Sequence, residues 1–89
     1  MLVLPSDLTR IQASACLQML VQGLRAEQGP TVVVDAGALG RFDSAALAVL
    51  LAFRREGLAA GKTLALRAMP ARLRDLASLY GIAELLPSV

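Results

Sequence analysis

The side chains best placed to do chemistry in this chain are Asp35, Asp43 and Ser44, gathered around one short Gly-containing stretch. Two carboxylates flanking such a stretch are able to hold a divalent cation or to share acid and base roles. A serine hydroxyl opening a helix meets unpaired backbone N–H groups and the positive end of the macrodipole. That setting favours an oxygen acceptor or a phosphate. Each residue also has a purely structural use. Asp35 suits the closing of a strand by accepting loop N–H groups. Ser44 or Asp43 suits a helix N-cap, worth about 1 kcal/mol. No nucleophile or third ligand converges on the carboxylates. Histidine is absent, which excludes a Ser-His-Asp triad, a Cys-His dyad and zinc sites built on imidazole. Cys16 is the only cysteine; it forms no internal disulfide or thiolate cluster and reads as a small hydrophobe. Gly37 and Gly40 fit neither a Walker loop nor a Gly-x-Gly-x-x-Gly turn, and Gly61-Lys62-Thr63 leads into a strand. No catalytic residue, metal or cofactor is expected.

The elements that must position these residues follow from periodicity. Thr31-Val32-Val33-Val34 predicts a strand over 31–34 buried on both faces, as in a mostly parallel sheet. Residues 36–41 predict a loop. A helix is expected from Ser44 to about residue 58, with Arg54 and Arg55 complementing its C-terminal dipole and Gly61 marking the next turn. From Ala45 to Phe53 this helix is apolar all the way round. A helix with no polar face needs cover on every side, and a chain of 89 residues struggles to supply it. A partner is therefore expected to cover one face, each Leu-sized side chain contributing about 1.5–3 kcal/mol.

The remaining elements fall on either side. Leu2-Val3-Leu4 reads as a short strand stopped by Pro5. Thr9 and Gln12 match a capping box, and Leu17, Leu20, Val21 and Leu24 predict a helix over 10–27 that ends before Gly29-Pro30. A strand over 63–66 follows the second helix. Pro70 as first helical residue and Gly81 beyond the end bracket a third helix, with Leu73, Leu76, Ala77 and Tyr80 as its stripe. Residues 82–87 form a short turn. The order is β-α-β-α-β-α, an α/β fold with a parallel or mixed sheet in a single domain over 1–89.

Composition sets further limits. Hydrophobic residues make up 56% of the chain, and mean hydropathy is +0.61. The longest apolar run, residues 45–53, falls far short of the roughly 20 needed to cross a bilayer. The start of the chain lacks a signal-peptide pattern. A cytoplasmic location without membrane insertion is expected. Net charge is +2 and the aromatics are only Phe42, Phe53 and Tyr80, so nucleic acid is not an expected partner.

Four segments together resemble a STAS domain: Val32-Val33-Val34-Asp35, residues 42–51 opening with Phe42-Asp43-Ser44, Gly61-Lys62-Thr63-Leu64-Ala65-Leu66, and Leu76-Ala77-Ser78-Leu79-Tyr80-Gly81-Ile82. The last segment points to the MlaB-like members. The resemblance implies a STAS-type sheet with packed helices and a non-enzymatic subunit. That subunit binds the cytoplasmic ATPase (MlaF-like) of a phospholipid-transport ABC complex, and through it the membrane permease. Its location would be the inner face of the inner membrane, its role the maintenance of outer-membrane lipid asymmetry. It implies Asp43, Ser44, Ala45 and Leu47 as contact positions with Arg41 at the rim. Separately, an exposed helix this apolar points to self-association as a homodimer when the partner is missing. The alternative within the family is an anti-sigma-factor antagonist switched by phosphorylation of Ser44. Two departures stand out: the N-terminal hairpin usual in the family is shortened here, and Ala46 stands where a Gly is frequent.

Overall fold

The computed structural model describes residues 1–89. In chain order the elements are β1 (Leu2–Val3), β2 (Asp7–Leu8), α1 (Ala13–Leu24), β3 (Thr31–Asp35), β4 (Arg41–Phe42), α2 (Ser44–Ala59), β5 (Thr63–Arg67), α3 (Ala71–Leu79) and a 3₁₀ turn at Ala83–Leu85. Strands β1, β3 and β5 form a parallel sheet in that spatial order, and β2 and β4 form a second parallel pair. The expected α/β, STAS-type architecture is present.

The two-residue strands β2 and β4 are additions to the sequence reading. Pro5 interrupts the N-terminal extended segment, and the partner strand loops out over residues 36–40 opposite it. Pairing resumes where the Gly40 and Arg41 N–H groups both donate to the Ser6 carbonyl, at 2.8 and 3.0 Å. The predicted loop over 36–41 is also less solvated than expected, because Ala36 and Leu39 are buried in the core.

Helix α1 starts later than its capping-box signature suggested. Gln12 reaches back to the Thr9 N–H (2.9 Å) and hydroxyl (2.7 Å), as in a capping box. The turn it closes precedes the helix, whose N-cap is Gln12. Pro70 likewise is the N-cap of α3 and not its first residue. Both Gly predictions match the structure. Gly61 (φ 76°) and Gly81 (φ 73°) take the left-handed conformation. Lys62 N–H bonds the Gly57 carbonyl and Ile82 N–H the Ala77 carbonyl, the Schellman arrangement at the ends of α2 and α3.

One topological fact shapes the interior. The order β1-β3-β5 advances across the sheet without reversing. Right-handed crossovers in a sheet that never reverses place their helices on one face. The buried residues of all three helices accordingly join a single cluster with Val32, Val34, Leu64 and Leu66. Val33 and Ala65, which alternate to the other face, lie outside it. The expectation that β3 is covered on both faces is therefore corrected: the protein covers one. No helix is long and apolar enough to cross a membrane.

Helix α2 is the centre of that cluster. Ala46, Leu47, Val49, Leu50, Phe53 and Gly57 are all buried. Cys16 lies in the same core, and burial pushes its thiol up from the ordinary value. Phe53→Ala is expected to lower unfolding free energy by about 3–5 kcal/mol through lost transfer energy and the cavity left behind. Gly57→Ala is expected to raise it by about 0.5–1 kcal/mol, since an added Cβ would meet only the Lys62 carbonyl, at an ordinary 3.7 Å. Chemical denaturation monitored by circular dichroism measures both.

Candidate docking site at the start of the second helix

Asp43, and not Ser44, caps α2. Its extended backbone (φ −131°, ψ −167°) lets one carboxylate oxygen accept the Ala45 N–H at 2.8 Å. The other accepts the Arg10 N–H at 3.3 Å, tying the helix to the turn before α1. Ser44 is the first helical residue. Its hydroxyl is exposed, and no hydrogen bond within the chain engages it. The cap has taken over the structural work and left the serine free.

The other candidate carboxylate is engaged through one oxygen. Asp35 Oδ1 accepts the Gly37 N–H at 2.7 Å, the strand-closing role foreseen for it. Nowhere do three potential acidic, thiol or imidazole ligands gather around a point that could hold a metal.

The residues expected to meet a partner divide into two groups. Ser44, Asp43 and Arg41 are exposed and Ala45 is half-buried. Leu47 is only 2% exposed and sits in the core cluster. It cannot touch a partner in the folded chain, because helical geometry turns it towards the sheet while Ser44 and Ala48 face outward. The apolar character of α2 is thus explained mostly from within. Its neighbours α1, α3 and the sheet cover all but a strip where Ala48 is exposed and Ala45, Leu51 and Ala52 are half-buried.

What surrounds the Asp43–Ser44 tip was not visible in the linear sequence. On one side, Ala13, Ser14 and Leu17 of α1 and Ala48, Val49 and Ala52 of α2 line an apolar groove of about 350 Å³. The small alanines along it permit close approach by another backbone. No charged residue occurs in α1, and none in α2 before Arg54. Ile11, in the turn before α1, is 82% exposed and uncharged as well. On the other side, Phe42, Leu76 and Leu79 line a second groove of about 360 Å³ with Arg72 and Asp75. The Arg72 guanidinium lies 5.0 Å from the Phe42 ring centroid, a cation–π contact. The missed signal in the sequence was the absence of charge through α1. Depletion of charge, with Met and apolar residues retained on the surface, marks the core of protein interfaces more reliably than hydrophobicity does.

The exposed, unpaired hydroxyl has an apolar groove on one side and a groove carrying Arg72 and Asp75 on the other. The adjacent Asp43 carboxylate bonds two backbone N–H groups and not the hydroxyl. The arrangement suits binding and modification. A family model described as "Mlab, STAS domain" matches residues 1–87. No curated protein matches the chain significantly. With the match spanning nearly all of the sequence and the fold agreeing with it, the chain belongs to the STAS domain family, whose members serve as protein-interaction or regulatory domains and are generally not enzymes.

Proposed function

We propose that this protein is a non-enzymatic accessory subunit that docks on the cytoplasmic ATPase of a phospholipid-transport ABC complex, of the kind that maintains outer-membrane lipid asymmetry. The MlaB-like character of the matching family supports this reading. The observation that carries it is the uncharged surface formed by α1 and the first half of α2, with the free Ser44 hydroxyl at its tip. In this reading Asp43, Ser44, Ala45 and Ala48 meet the ATPase, and Arg41 stands at the rim. The ATPase links the subunit to the permease and so to the inner face of the inner membrane.

A second reading rests on the same free hydroxyl. In an anti-sigma-factor antagonist, a partner kinase would phosphorylate Ser44. A charge of about −1.5 to −2 at this tip suits the helix N-terminus but opposes an apolar partner and the neighbouring Asp43 carboxylate. Binding would then be lost while the fold is retained.

Ala48→Glu is expected to weaken co-purification with the ATPase by more than about 10-fold, because it buries an unpaired charge in the groove. Circular dichroism should stay unchanged, since Ala48 is exposed in the free chain. Undiminished co-purification would remove the helical surface from consideration. Intact-mass measurement after incubation with the candidate anti-sigma kinase and ATP separates the two readings. One added phosphate on wild type, absent in Ser44→Ala, selects the antagonist; an unmodified wild type leaves the transport subunit.

A further inference from the structure

The face of the sheet opposite the helices brings side chains from β1, β3, β5 and the C-terminal bridge into aligned rows. Parallel register aligns Val3 with Asp35, and Asp35 with Arg67. The Leu66–Ser88 bridge brings Val89 beside Arg67. Val3, Asp35, Arg67 and Val89 thus form one row across the open face. Val33 and Ala65 form the next row, and Thr31 and Thr63 the third. Arg67 Nη1 lies 3.9 Å from Met1 Sδ, a contact that reaches across β3 on this face, while the buried residues of the helices cluster on the other. Val3 is 55% exposed and Val89 70%, whereas Ala65, with the shortest side chain of its row, is only 5% exposed.

We propose that this face binds a second copy of the chain in an isologous sheet-on-sheet dimer. A two-fold axis along the strands, midway between β3 and β5, reverses each row onto itself. Asp35 of each copy then faces Arg67 of the other. Val33 sits over Ala65, Val3 meets Val89, and Thr31 meets Thr63. Charge opposes opposite charge, a large side chain meets a small one, and apolar ends meet apolar ends. Asp35 Oδ1 is held by the Gly37 N–H, and no hydrogen bond occupies Oδ2, which can accept the incoming guanidinium. Because the axis follows the strands, the two sheets stay aligned, the packing in which sheets stack about 10 Å apart. Strands of two to five residues and a single bridge make a small face, so the dimer is a weak one. The helices and both Ser44 tips point outward, leaving the docking surface free in each copy.

Sedimentation velocity on the wild-type chain, from micromolar to millimolar concentration, tests the proposal. The expected result is a rise in mass towards that of a dimer. Arg67→Asp and Asp35→Arg should each remain monomeric, because like charges then face one another. An equimolar mixture of the two variants should recover the dimer, since both facing pairs become opposite in charge. A wild type that stays monomeric throughout overturns the proposal, whether the face is idle or reserved for another protein. So does a dimer that survives Arg67→Asp, and one that Ala48→Glu abolishes while Arg67→Asp does not belongs to the helical surface instead. Should Asp35→Arg fail to fold for loss of its bond to Gly37, Val33→Glu decides. Loss of the dimer with intact circular dichroism supports the proposal, and retention of the dimer overturns it.

Discussion

The constraint on which this structure rests is a parallel sheet whose strand order advances in one direction only. Each right-handed crossover therefore returns on the same side, and one layer of helices must bury the whole apolar face of the sheet. Helix α2 takes the central position in that layer, above the sheet and between α1 and α3. A helix so placed loses its polar face, and the nine-residue apolar run over 45–53 reflects this internal crowding before it reflects any partner.

The same constraint creates both surfaces open to other molecules. On the helical side, crowding pushes large side chains inward and leaves alanines outward, so what remains is a shallow groove without charge. On the sheet side no helix returns to cover β3, and a strand whose residues look suited to a two-sided interior leaves Thr31 exposed and Val33 and Asp35 only half-buried. The protein's apolar excess is divided between a core with no buried polar side chain and these exposed faces.

Division of labour at the start of α2 gives the helical surface its polar tip. Asp43 uses both carboxylate oxygens, one to cap the helix and one to hold the turn before α1. Ser44 is relieved of capping and presents an unpaired hydroxyl. A side chain with no structural duty at an exposed helix N-terminus can be read or modified by a partner at little cost to stability.

The sequence by itself determined the local elements, because each has a local cause. The β-branched run made β3, the left-handed glycines Gly61 and Gly81 ended α2 and α3, and Asp35 announced its own turn. The four quoted segments identified the family, and Asp43 and Ser44 marked the tip of the site. Strands β2 and β4 were illegible because two-residue strands exist only through their pairing. The late start of α1 was hidden because the Thr9–Gln12 hydrogen bonds close a turn as readily as they open a helix. Only the tertiary structure decided which way each apolar residue points. It sent Leu47 into the core, left Ile11 and Ala48 outside, and bared the Val33 face of the sheet. Burial depends on the order of strands far apart in sequence, and periodicity within one segment carries no record of that order.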